Sequence, residues 1–182
     1  EVKEGKNGCV LINDSYNSDL ASLDIALDFM SRRSDDKGKK RTLILSDMLE
    51  TGQSSKLLYR QVAELVHSRG VEKIVGVGEE IRTAAARFEI EKYFFRTTEE
   101  LLESDLLAGL RNEVILVKGS RAFHFDRISD RLELKVHETI LEINLNALVD
   151  NLNYYRSKLK PETKMVCMVK ASAYGAGSYE IA

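Results

Sequence analysis

The chain has 182 residues, with 27 Lys and Arg against 29 Asp and Glu, 43% apolar residues, two cysteines and a single proline. That length holds one ordinary domain, or one plus a piece of another, with enough apolar chain to bury a core. A formal charge of -2 gives no basic field for a phosphate backbone, and no apolar run reaches the roughly 18 residues of a membrane span, so neither nucleic acid nor a membrane is an expected partner.

The opening residues Glu1-Val2-Lys3-Glu4-Gly5-Lys6 lack the apolar stretch of a signal peptide, which points to a cytoplasmic protein, and a start without Met suggests a fragment. The first apolar run predicts a strand over residues 9–13. Leu20, Leu23, Leu27 and Met30 then fall three and four apart and line one helical face. Residues 34–41 read as a solvated turn, followed by a strand at 42–46. Leu58, Val62, Leu65 and Val66 form a second helical stripe ahead of strands at 73–77 and 93–95. Thr97 and Glu100 have capping-box spacing, which starts one helix carrying Leu101, Leu102, Leu106 and Leu110. A strand at 114–118 and a helix with Phe125, Ile128 and Leu132 complete the set. Short apolar runs alternating with amphipathic stretches are the pattern of parallel strands joined by crossover helices.

From residue 138 the pattern restarts. A strand is expected at 139–143, then a helix with Leu145, Leu148, Leu152, Tyr155 and Leu159 on one stripe, then Pro161, a very apolar strand at 165–169 and a Gly-containing loop to Gly177. This β-α-β unit is too short to stand as an independent α/β domain and reads as the start of a truncated one. The expected division is therefore 1–135 and 136–182. Cys9 and Cys167, both in apolar runs, are expected to be reduced core thiols.

Ligands of doubly wound sheets gather where strand carboxyl ends meet helix N-termini. Three such junctions carry chemistry. Asn13-Asp14-Ser15-Tyr16-Asn17-Ser18 offers groups that accept from ribose hydroxyls or stack on a base, or else a helix N-cap from Asn17 or Ser18. Ser46-Asp47-Met48-Leu49-Glu50-Thr51-Gly52 places carboxylates where a magnesium-bound nucleotide could approach, or simply beside a helix dipole. Lys118-Gly119-Ser120-Arg121 combines two cations, a hydroxyl and exposed turn amides, a pocket for a carboxylate or phosphate.

Gly76-Val77-Gly78-Glu79-Glu80-Ile81 lacks the third small residue of a dinucleotide fingerprint, and Gly5-Lys6-Asn7 has Asn where a phosphate loop needs Ser or Thr. His67, His124 and His137 share no metal-ligand spacing. In the tail, Lys170 ends the apolar run and Tyr174 follows four residues later. A desolvated lysine amine is a nucleophile for an aldehyde cofactor; a strand-end lysine reaching for solvent is the alternative.

In order and spacing, Asn13 to Ser18, Ser46 to Gly52 and Leu116-Val117-Lys118-Gly119-Ser120-Arg121 resemble the C-terminal domain of the UDP-N-acetylmuramoyl-tripeptide:D-alanyl-D-alanine ligase family, over about residues 8–134. The resemblance implies a Rossmann-like α/β domain closing over a central ATPase domain, with ATP and Mg2+ used by the parent ligase. It implies that Asp14 and Asn17 touch the adenosine part of ATP, and that Lys118, Ser120 and Arg121 face the dipeptide or an acyl phosphate.

Glu142-Ile143-Asn144-Leu145-Asn146-Ala147-Leu148, Asn151-Leu152 and Val169-Lys170-Ala171-Ser172-Ala173-Tyr174-Gly175 resemble the N-terminus of the alanine racemase family. That implies the first β-α-β of a (β/α)8 barrel using pyridoxal 5'-phosphate, with Lys170 as the catalytic cofactor lysine and Tyr174 at the phosphate, in a parent whose racemase half is homodimeric. Together the two resemble bifunctional fusions of peptidoglycan-precursor synthesis, whose substrates are UDP-MurNAc-tripeptide, D-Ala-D-Ala and alanine. Alone, the fragment is expected to be inactive. The opposing reading is a non-catalytic α/β nucleotide-binding or interaction module.

Overall fold

The continuous apolar runs become strands because each is covered on both faces. The computed structural model describes residues 1–16, 18–34, 38–49, 52–135, 142–170, 173 and 177. Six strands, β1 (Val2–Glu4), β2 (Val10–Asp14), β3 (Lys40–Ser46), β4 (Lys73–Val77), β5 (Glu91–Phe95) and β6 (Glu113–Lys118), form one sheet in the order β1-β2-β6-β3-β4-β5. All neighbours are parallel except β1 against β2.

Alternate residues of each strand feed two cores. On one face Ile12, Leu43, Leu45, Ile74, Val114 and Leu116 pack with Leu23, Leu27 and Met30 of α1 (Leu20–Ser34) and Leu58, Tyr59, Val62 and Val66 of α2 (Ser55–Ser68). On the other, Leu11, Ile44, Val75, Val77, Ile115 and Val117 meet Leu101 of α4 (Thr98–Glu103), Leu107 of α5 (Leu106–Gly109) and Ile128 and Leu132 of α6 (Asp126–Leu132). Between β4 and β5 lies the short α3 (Glu79–Thr83). At the amino edge of the sheet the buried Glu113 carboxylate accepts from Lys73 Nζ at 2.7 Å and from the Thr42 hydroxyl, so this buried carboxylate and this buried ammonium neutralise each other.

The chain divides into two units, Glu1–Leu134 and Lys135–Ala182. Within the second, α7 (Leu145–Ser157) forms where its stripe predicts it, capped by Asn144, whose side chain accepts from the Ala147 N–H at 3.0 Å. Leu145, Leu148, Tyr155 and Leu159 remain exposed.

Several expectations need correction. Residues 165–169 form no strand: Val166 and Met168 are largely exposed and Cys167 is an exposed thiol, not a core one. Apolarity alone does not make a strand; its N–H and C=O groups need a ladder partner, and none stands beside it among the described residues. Of the strand expected at 139–143, residues 139–141 lie outside the described residues, and Glu142 and Ile143 are not in a strand. The single helix expected across residues 101–110 is two, because the Ser104 hydroxyl donates to the Leu101 carbonyl at 2.7 Å and ends α4. β1 was not foreseen. Its three residues, Val-Lys-Glu, carry too little apolar signal, and Lys3 instead secures this edge by an ion pair with Glu133 at 2.8 Å.

Candidate functional site at the carboxyl edge of the sheet

β2 and β6 run parallel in a register that sets Asp14 beside Lys118, although 104 residues separate them in sequence. Lys118 is 1% exposed, and its ammonium donates to Asp14 Oδ2 at 2.7 Å. Asp14 is half-exposed. The lysine therefore meets its anion inside the protein, and the pair presents a carboxylate edge to solvent above a buried cation. Asp19 also feels this cation. Its carboxyl is held below the usual range first by the backbone N–H and then by the hydroxyl of Ser22, with Lys118 adding to them. Through the same contact the Asp19 side chain accepts from the first turn of α1, at the Ser22 N–H at 2.9 Å; of the two expected caps, Asn17 lies outside the described residues.

After β6 the chain turns sharply. A Cβ on Gly119 would come within 2.5 Å of the Phe125 ring, so only glycine lets the turn lie against it. Ser120 N–H donates to Ser46 Oγ at 2.9 Å, and that hydroxyl donates onward to the Asp47 carbonyl at 2.9 Å. The Ser120 hydroxyl is itself buried and finds no hydrogen-bond partner among the described residues; the Ser18 hydroxyl is in the same position. Arg121 reaches back over the β2 side, where its Nη2 donates to the Tyr16 hydroxyl at 2.8 Å and its guanidinium carbon lies 4.6 Å from the centre of the Tyr16 ring. Ser15 donates to Asn13 Oδ1 through both N–H and hydroxyl, at 3.2 and 2.6 Å, which folds the loop back on the strand end.

At the second junction Glu50 and Thr51 lie outside the described residues, and Asp47 serves the fold. Asp47 is 5% exposed and turns inward, accepting from Ile81 N–H at 2.7 Å, Glu80 N–H at 3.1 Å and the Tyr59 hydroxyl at 3.1 Å. It thereby satisfies the opening N–H groups of α3. Gly78, at φ +130, makes this possible, because a Cβ there would fall 2.2 Å from Asp47 Cγ. Burial, followed by the Asp47 charge, pushes the Tyr59 hydroxyl far up from its ordinary pKa.

Asp14, Lys118, Ser120 and Arg121 thus share one edge of the first unit. Lys170 belongs to the second unit, exposed on a segment of no regular structure, and Asn17 and Tyr174 lie outside the described residues. A groove of about 320 Å³ opens beside Asp14, with Ile12, Ile25, Ala26 and Phe29 in its lining. Larger surface grooves, of about 380 and 550 Å³, lie along α2, where no strand end contributes chemistry. Among the described residues no cluster of His, Cys, Asp and Glu fits a metal ion, since Asp47 is engaged by α3 and Asp14 by Lys118.

Comparison with known proteins agrees with this architecture. Residues 1–121 match the family described as Mur ligase, glutamate ligase domain, and residues 143–182 match alanine racemase, N-terminal domain. The UDP-N-acetylmuramoyl-tripeptide–D-alanyl-D-alanine ligase of Escherichia coli K12 is 26% identical over 125 residues, covering 68% of this chain and 27% of that protein. The corresponding ligase of Rickettsia prowazekii is 32% identical over 122 residues, 66% of this chain and 26% of its own length. The chain therefore spans about a quarter of these relatives. An amino-acid racemase of Enterococcus faecalis is 46% identical over 41 residues, 22% of this chain and 6% of that protein. The fold is that of MurF ligase from Thermotoga maritima, solved with ADP, at a TM-score of 0.57 and 20% identity over 72% of this chain and 29% of that one. With the parallel sheet, the strand-end polar cluster and the matched span in agreement, the chain belongs to the Mur ligase family through its glutamate ligase domain.

Proposed function

We propose that residues 1–135 serve as the closing C-terminal domain of a cytoplasmic ATP-dependent ligase of peptidoglycan precursor synthesis, which joins D-Ala-D-Ala to UDP-MurNAc-tripeptide through an acyl phosphate. The observation that carries this reading is the convergence at one sheet edge of Asp14 with the Lys118–Arg121 turn, including a buried Ser120 hydroxyl without a partner among the described residues. In this role Asp14 and Asn17 accept from the adenosine part of ATP. Lys118 is the fixed charge beside Asp14, and with it Ser120 and Arg121 face the dipeptide or the acyl phosphate. The described residues hold no group of three or more His, Cys, Asp or Glu that would bind magnesium by itself, and no step here runs through the ion.

We assign residues 136–182 as the opening of an alanine racemase barrel, homodimeric in the parent, with Lys170 and Tyr174 directed to pyridoxal phosphate. Lys170 itself presents an exposed amine, the group such a cofactor's aldehyde requires.

The test is to express the complete reading frame that contains this chain and to measure ADP formation. The reading expects ADP release that requires tripeptide and D-Ala-D-Ala together, and a fall of about 100-fold or more in kcat for Lys118→Ala. Release without the dipeptide, or unaltered kcat in that variant, would refute it. The 182-residue chain by itself is expected to catalyse neither ligation nor alanine racemisation.

A further inference from the structure

The Lys118–Arg121 turn is gripped from both neighbouring strands. From the β3 side the Ser46 hydroxyl accepts the Ser120 N–H at 2.9 Å. From the β2 side Tyr16 takes hold of Arg121 in two ways at once, by ring stacking at 4.6 Å and by a hydrogen bond to its phenol oxygen at 2.8 Å. Tyr16 itself is 63% exposed and packs into neither core, so its place is not explained by folding.

An exposed arginine has many rotamers, and an anion that binds it must freeze them. The ring restricts the guanidinium to one plane, and the phenol oxygen occupies Nη2 while leaving other N–H donors of the fork to face a ligand. Arg121 opens a one-turn 3-10 helix, Arg121–Phe123, which holds its main chain but not its long side chain, so the aim of the guanidinium depends on what it leans against.

We propose that Tyr16 is a positioning residue for Arg121, holding the guanidinium over the strand ends so that it meets an oxyanion, either the dipeptide carboxylate or the acyl phosphate, without further ordering. The inference rests on the assignment of Arg121 to that oxyanion. Tyr16 does not touch the reacting atoms; its whole contribution passes through Arg121.

The test is a double-mutant cycle in the full-length enzyme. Tyr16→Leu is expected to lower kcat/KM about 10-fold, and Tyr16→Phe, which keeps the ring and loses only the hydroxyl contact, about 3-fold. In an Arg121→Ala background Tyr16→Leu should add less than about 2-fold, because nothing is left to position. A change confined to KM for the dipeptide identifies the carboxylate as the oxyanion, and one confined to kcat identifies the acyl phosphate. If Arg121→Ala is damaging but Tyr16→Leu is not, the positioning role is wrong while the site assignment stands. If Tyr16→Leu has its full effect even without Arg121, the tyrosine acts on its own and the proposal fails. An Arg121→Ala enzyme as active as the parent overturns the site assignment itself. Since Tyr16 is exposed, its variants should unfold within about 2 °C of the parent, which separates aim from folding.

Discussion

The Lys118–Asp14 pair predicts an asymmetry between its two members. Lys118 is buried and Asp14 half-exposed, so Asp14→Ala leaves a dehydrated ammonium with its nearest carboxylate gone, whereas Lys118→Met leaves a carboxylate that water can reach. Urea unfolding should show a cost of about 2–4 kcal/mol for the first and less than half of that for the second. Asp47→Ala should cost about as much as Asp14→Ala, because two N–H groups of α3 and the Tyr59 hydroxyl lose their acceptor. Asp19 gives the pH dependence. Its folded pKa is depressed, so its contribution is fully present above the ordinary value of 3.8 and disappears as pH falls through the lower, folded one. Carbon-detected NMR should find Asp19 titrating below 3.8, and Asp19→Asn should flatten the loss of stability below about pH 4. The sequence showed which residues stand at strand ends but not how they pair. That Lys118 is neutralised by Asp14, and that Asp47 faces inward, follows from strand order and register, which residue spacing does not contain.

At the scale of elements, the strands buried on both faces were legible because Leu43 to Leu45 or Ile115 to Val117 must be apolar in succession. The failures share a cause too. Residues 165–169 are just as apolar yet form no strand, since pairing is a property of two segments and only one was being read. The Thr97 cap was found by spacing, and its hydroxyl accepts from the Glu100 N–H at 3.2 Å. Glu100, however, reaches Arg96 N–H at 2.7 Å rather than the cap residue itself. Thr97→Ala should cost about 1 kcal/mol in thermal or urea unfolding, without altering the fold. For α7, none of whose residues is buried, amide exchange should be fast throughout while β3 and β6 remain protected.

For the molecule as a whole, the two cores flanking the sheet lie entirely within Glu1–Leu134. A polypeptide of residues 1–134 is expected to unfold in one cooperative transition at the same urea midpoint as the 182-residue chain; a lower midpoint would mean that the tail contributes to the first unit's stability.

The last strand of this sheet to be synthesised, β6, occupies its middle, between β2 and β3. Until Glu113–Lys118 leaves the ribosome, the earlier strands can exist only as two separate ribbons, each with an open flank. Any nascent or clipped product ending before Glu113 therefore offers two sticky margins for aggregation. The first unit completes its sheet in one late event, the insertion of a single six-residue keystone.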